Sequence, residues 1–177
     1  ESMTSLANEN LGMRGFFEEG YTGDHMQGVY LGGVWFPDKT RVGWWKNGYP
    51  KYFGKMINAV NFMKLIIKVN GEQLDLNKQT PKGFKLDLDM KRGVLTREFT
   101  VEIGGTEMYF NFERFVSAVQ KELVGQRLHI KNHGNDDAKV EVTSMIDADV
   151  YNEDANYDEQ FWNVLGKNAS DEHAELT

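Results

Sequence analysis

The chain has 177 residues and a net charge of −7, which suits one domain burying about 70% of the surface of its unfolded form and leaves no length for two of ordinary size. With no basic stripe, duplex DNA and anionic membranes are repelled as partners. The lack of cysteine removes disulfides, thiolate nucleophiles, thiolate zinc sites and iron–sulfur clusters. No apolar run reaches membrane-spanning length and no basic n-region with an apolar core opens the chain, so the sequence is read as neither spanning a membrane nor directing export.

Extended pieces joined by glycine turns are expected first, at Leu11-Gly12-Met13-Arg14-Gly15 and Phe16-Phe17-Glu18-Glu19-Gly20. Gly12 and Gly15 do not form a dinucleotide fingerprint, because no apolar strand precedes them and no amphipathic helix follows. Val29-Tyr30-Leu31 and Val34-Trp35-Phe36 read as a short strand interrupted by a bend at Gly32-Gly33. Ten of the 18 glycines lie from Gly12 to Gly54, so the backbone must turn often there.

The stretch from Val34 to Lys55 carries Trp35, Phe36, Trp44, Trp45, Tyr49, Tyr52 and Phe53, seven of the chain's 22 aromatics. Its Gly, Pro and Lys content argues against a regular strand or helix. Rings in a loop need a partner. They pack back on their own domain, dock against another domain, or offer flat faces to a ligand such as a sugar. Trp44, Trp45, Tyr49, Tyr52 and Phe53 are the candidate interdomain or substrate-proximal residues.

From Phe62 onward the texture is all-β. Met63, Leu65, Ile67 and Val69 alternate with more polar neighbours, and Asn70-Gly71 supplies two positive-φ positions for a hairpin into Gln73-Leu74-Asp75-Leu76. Pro81 lies in a following loop. Phe84, Leu86, Leu88 and Met90 then alternate, Gly93 turns the chain, and Leu95, Phe99, Val101 and Ile103 share a face. Gly104-Gly105 turns into Met108, Phe110 and Phe112. Leu128 with Ile130, and Val140 with Val142 and Ile146, complete at least seven strands.

Helix is expected only as turns near 118–121 and 158–165. Hairpins with one apolar face each are most economically covered by stacking two sheets, so the fold expected is an antiparallel β-sandwich over 1–165. Residues 166–177 are acidic and aperiodic, and read as a frayed or cut end.

His129 and His133 stand four apart, a spacing that suits a metal only on a helix, and are read as strand or surface residues. Asp147, Asp149, Glu153, Asp154, Asp158 and Glu159 match a calcium loop poorly, since Asn152 stands where its glycine belongs and Tyr151 where a ligand belongs. They are read as a solvated strand end, and no metal site is assigned. No nucleophile elbow, phosphate loop or metalloprotease helix is present.

The pieces Leu11-Gly12-Met13-Arg14-Gly15, Phe17-Glu18-Glu19-Gly20-Tyr21, Gly33-Val34-Trp35-Phe36-Pro37-Asp38, Leu88-Asp89-Met90 with Gly93-Val94-Leu95, and Ile146-Asp147-Ala148-Asp149-Val150 carry a further signal. Together they resemble the amino-terminal domain of glycoside hydrolase family 65, nearly from end to end. The Trp-rich loop favours maltose-acting members over those acting on kojibiose or trehalose. Ala7-Asn8-Glu9-Asn10 departs from the Gly-Asn-Gly-Tyr of many members.

The resemblance implies a galactose-mutarotase-like sandwich, here lacking its first strand and last portion, joined to an (α/α)6 barrel and a small carboxy-terminal β domain. It implies an inverting attack of inorganic phosphate on maltose, with acid and phosphate site both on the barrel, so that no catalytic residue lies in this chain. Phosphate would be a substrate and no cofactor is needed. A homodimer and a cytoplasmic setting follow at the family level. A free-standing carbohydrate-binding module is the competing reading.

Overall fold

In the computed structural model, which describes residues 1–40, 50–152 and 160–177, the regular alternation read from the sequence becomes an all-β architecture. A single 3₁₀ turn at Ser2–Thr4 precedes β1 (Leu6–Ala7), β2 (Leu11–Met13), β3 (Val29–Leu31), β4 (Trp35–Lys39) and β5 (Tyr52–Met56). The long strands follow as β6 (Asn61–Val69), β7 (Glu72–Gln73), β8 (Lys82–Asp89), β9 (Val94–Ile103), β10 (Thr106–Val116), β11 (Val124–Asn132) and β12 (Val140–Asp147). Last come β13 (Lys167–Ala169) and β14 (Ala174–Leu176).

One sheet runs β11-β10-β9-β8 and faces another running β12-β6-β7, with every pair antiparallel. Between them lies a core of Leu65, Ile67 and Val69 from β6, Leu74 just after β7, Phe99, Val101 and Ile103 from β9, and Met108, Phe110 and Phe112 from β10. Phe99 stands opposite Phe110 in the ladder and stacks on it at 5.5 Å. The smaller sheet β1-β2-β3 is tied to β6 and the segment before it through Leu65 N to Glu18 O and Ala59 N to Val29 O. It closes a second core containing Leu11, Met13, Val29, Met63 and Leu95.

The Asn70-Gly71 turn is formed as read, with φ of 49° and 87°. Asn70 adds a bond from its Nδ2 to Gly104 O of the neighbouring turn and accepts from Lys139 N, so one side chain holds three connections together. At Ala7-Asn8-Glu9-Asn10, Asn8 Oδ1 accepts from the backbone of Asn10 and Leu11, while Nδ2 donates to Ser117 O and Lys121 O. That side chain therefore shapes the first turn and fastens it to the β10–β11 connection.

Five expectations need correction. Met90 lies beyond β8 in the turn and is exposed, because β8 ends at Asp89, whose side chain takes the Lys91 and Arg92 amides. Val140 and Val142 lie opposite Val69 and Ile67 on the inward side, yet both are exposed, because β12 is an edge strand at the border of the sandwich. Val29–Leu31 and Trp35–Lys39 are not one bent strand but belong to different sheets. The ends of the aromatic stretch are strands after all, β4 and β5 pairing as a ribbon with Pro37 opposite Gly54. A two-stranded ribbon has outer edges where a residue without an amide proton is tolerated. Finally, residues from Lys167 onward form the β13–β14 hairpin instead of an aperiodic tail.

No α-helix occurs among the described residues. The segment near 118–121 is a turn, with Ser117 Oγ accepting from the amides of Val119 and Gln120. Among the described residues no helix is long and apolar enough to cross a membrane.

Candidate functional site

Two constellations stand out, an aromatic ribbon and a buried ion cluster. In the ribbon, Trp35 pairs with Met56, Phe36 with Lys55, Asp38 with Phe53 and Lys39 with Tyr52. Alternation sends Trp35, Tyr52 and Met56 to one side and Phe36, Phe53 and Lys55 to the other. The Trp35 indole packs over Gly54, at an ordinary contact distance of 3.5 Å from where a Cβ would stand. That side remains open, next to a shallow apolar depression of about 520 Å³ floored by Leu31 and Val34. On the other side Phe36 meets Phe161 at 5.1 Å, and the Lys55 ammonium lies over the same ring.

The ribbon is aimed by a hydrogen-bonded clamp at its base. Asn58 donates through Nδ2 to Tyr151 O, and its amide donates to Asn152 Oδ1. Asn152 Nδ2 in turn donates to Met56 O, and the Trp162 indole N–H to Asn58 O at 2.6 Å. Four backbone groups are thereby satisfied where β5 leaves the body, three of them in half-buried bonds, which fixes the direction of the ribbon.

Of the residues singled out in the sequence, Tyr52 is 59% exposed and Phe53 45%, against 1% and 0% for the core rings Phe99 and Phe110. Trp44, Trp45 and Tyr49 lie outside the described residues. Trp35, Phe36 and Met56 join Tyr52 and Phe53 as exposed apolar groups on the ribbon. Their sequence signal was the same aromatic stretch.

The ion cluster was not anticipated. Arg97 occupies the inward phase of β9 and Arg114 that of β10, diagonal to each other because Arg97 pairs with Phe112 and Arg114 with Leu95. Both are buried, as are Glu18 and Glu19 from the loop between β2 and β3. Arg97 donates to Glu19 with both terminal nitrogens, one at 2.6 Å, and to Glu18 Oε2 at 2.9 Å. Glu18 Oε1 reaches Arg114 Nη1 at 3.4 Å, and Arg114 Nη2 donates to Arg14 O. The Arg97 guanidinium lies between the rings of Phe17 and Phe112, about 4 Å from each.

Burial pushes the Glu19 carboxyl above its ordinary value, with Arg97 working against that rise. For Arg97 burial acts downward, but Glu19 and Glu18 more than offset it and hold the guanidinium firmly charged. Two cations against two carboxylates leave the cluster neutral, as a buried group of charges must be. A findable signal existed: Leu95, Arg97, Phe99 and Phe110, Phe112, Arg114 keep one inward phase, so each arginine demanded a buried acidic partner.

His129 and His133 lie on and just after β11, exposed, with Tyr109 between them, stacked on His133 and edge-on to His129. Asp147 pairs with Lys64 and takes the Asp149 amide. Glu153, Asp154, Asp158 and Glu159 lie outside the described residues. No group of three or more His, Asp or Glu that could hold a metal occurs among the described residues.

The chain is an all-β sandwich with an exposed aromatic ribbon, and a family model describes it: residues 1–176 match the N-terminal domain of glycosyl hydrolase family 65. The chain belongs to that family. It is 50% identical over 98% of its length to the maltose phosphorylase of Bacillus subtilis, and 31% identical over 58% of its length to the kojibiose phosphorylase of Thermoanaerobacter brockii. It spans 23% and 12% of these two relatives. Among solved structures, a human-microbiome protein provisionally named as a kojibiose phosphorylase superposes over 99% of this chain and 23% of its own, with a TM-score of 0.87 at 27% identity.

Proposed function

We propose that this chain is the non-catalytic amino-terminal domain of an inverting disaccharide phosphorylase that acts on maltose. The observation that carries the proposal is the 50% identity, over nearly the whole chain, to a protein that bears that activity in its name. In such an enzyme, inorganic phosphate attacks the anomeric carbon of maltose from the face opposite the leaving oxygen, which a carboxylic acid protonates. β-Glucose 1-phosphate and glucose result. Acid and phosphate site would both belong to an (α/α)6 barrel of the same polypeptide, and phosphate is a substrate, so no cofactor enters.

The ribbon's part in this reading is to meet the barrel or the edge of its site. Rings held outward by a clamp at the base suit a docking surface, since an apolar side left open to water is stabilised by a partner. The parent would be a cytoplasmic homodimer. Supplying the parent enzyme with phosphate and, separately, maltose, kojibiose, trehalose and nigerose tests the reading. Rapid release of β-glucose 1-phosphate from maltose alone, with its anomer read by NMR, is expected. Preference for another of the four disaccharides, or an α-anomer product, would overturn it. The 177-residue chain alone should release no glucose 1-phosphate from maltose and phosphate. Sugar binding at the ribbon of the isolated chain, seen as a fluorescence change lost in Tyr52→Ala, would favour a carbohydrate-binding module instead.

A further inference from the structure

A second concavity lies away from the ribbon, beside the ion cluster. It holds about 250 Å³ and is walled by Phe17, Tyr21, Gln27, Asn61, Gln73 and Asp75, with Glu18 and Glu19 at its base. Taking liquid water at roughly 30 Å³ per molecule, that is room for about eight waters, or for one pyranose ring with its hydroxyls.

Its walls are held in place from behind. Phe17 is fixed on the buried Arg97 guanidinium, and Tyr21 meets Phe17 edge-on at 5.7 Å. Asp75 is buried, and Thr22 donates to it through both its amide and its hydroxyl, the latter at 2.6 Å. Asn61 is buried and spends its Oδ1 on the Met63 amide. Aromatic and polar groups locked by a surrounding shell are what a preformed small-ligand site requires.

The charges decide the ligand class. Glu18 and Glu19 are answered by Arg97 and Arg114, Asp75 by Lys78, and Lys64 by Asp147. Each lysine and carboxylate lining the cleft therefore faces an opposite charge, and the imidazole of His25, which also lines it, sets its Nδ1 3.1 Å from Gly23 O. Beside these pairs it presents the Tyr21 ring and hydroxyl, the His25 imidazole and the side-chain amides of Gln27, Asn61 and Gln73, a mixture of amphipathic rings and hydrogen-bonding donors and acceptors.

We propose that this cleft is a binding site for a neutral hexose, free or at the end of an oligosaccharide, separate from the ribbon. The proposal is independent of which disaccharide the parent enzyme cleaves. Glucose and, as a charged comparison, glucose 1-phosphate are titrated into the 177-residue chain, with binding read by saturation-transfer NMR and calorimetry. Glucose is expected to bind with a dissociation constant in the millimolar range, roughly 1–10 mM, and glucose 1-phosphate more weakly. Tyr21→Ala and Gln27→Ala should each weaken glucose binding about tenfold, whereas Tyr52→Ala on the ribbon should leave it unchanged. Circular dichroism and melting curves accompany each variant. Should Tyr21→Ala lose its fold, Tyr21→Phe, which keeps the ring and drops the hydroxyl, with Gln73→Ala, carries the test. No saturable glucose signal, glucose 1-phosphate binding tighter than glucose, or loss in Tyr52→Ala with retention in the cleft variants would each overturn the proposal.

Discussion

Replacing Arg97 by methionine tests how far the ion cluster holds this sandwich together. Methionine keeps most of the side-chain length between Phe17 and Phe112 but removes three charge-assisted hydrogen bonds to Glu18 and Glu19. Glu19, whose side chain is wholly buried, would keep no hydrogen-bonding cation among the described residues, and Glu18 only the 3.4 Å approach of Arg114. Breaking a buried pair on one side destabilises by about 3–5 kcal/mol at neutral pH. With a shift of about 2–4 °C per kcal/mol for a chain of this size, the melting temperature should fall by roughly 6–20 °C.

The pH dependence sharpens the test. In the native protein burial already raises Glu19 above 4.5, so its contribution is complete below that value and lost as pH rises through the folded value. Without Arg97 the folded value rises further and this window widens. The variant's deficit, measured by urea unfolding under circular dichroism, should therefore be smaller at pH 5 than at pH 7. Adding Glu19→Gln to Arg97→Met should recover part of the loss at pH 7. A deficit below about 1 kcal/mol at pH 7, or one that does not change with pH, would show that the cluster is solvated and contributes little.

The remaining tests are more local. Gly71→Val should destabilise by about 1 kcal/mol or more through its φ of 87° alone, since its Cβ would meet nothing within 4 Å. Gly104→Ala should destabilise more than Gly71→Ala, because its Cβ would stand 2.3 Å from Val69 O; equal melting temperatures would contradict the geometry. For Asp75, burial acts upward, but the bonds from Thr22 and Asn77 pull its carboxyl below 3.8, so its contribution is present above that value and lost as pH falls through the folded one. Asp75→Asn should then cost about 1 kcal/mol at pH 7 and progressively less as pH falls below 3.8, read by thermal melts. Trp35→Ala and Tyr52→Ala should leave the melting temperature of the chain nearly unchanged, because both rings are exposed, yet raise the Michaelis constant for maltose or loosen domain docking in the parent enzyme. A large stability loss with unaltered kinetics would make the ribbon an ordinary packing element.

Sequence alone determined the elements whose period and turn chemistry agree. β6, β9 and β10 were legible because Met63 to Val69, Phe99 to Ile103 and Met108 to Phe112 alternate without interruption, with Leu95 keeping the phase of β9 across Arg97, and Asn70-Gly71 is the pair a tight hairpin selects. Family membership was likewise legible from short motifs. Tertiary structure decided what depends on neighbours far along the chain. Alternation in β12 gives a face but not a cover, and Val140 and Val142 are exposed because β12 borders the sandwich. Glu18 and Glu19 stand in an extended, glycine-turned piece, and only the approach of residues 78 to 96 positions away, Arg97 on β9 and Arg114 on β10, buries them as an ion cluster. The ribbon's strands were hidden by Pro37 and Gly54, whose low strand propensity is overridden when each stands opposite the other in the ladder.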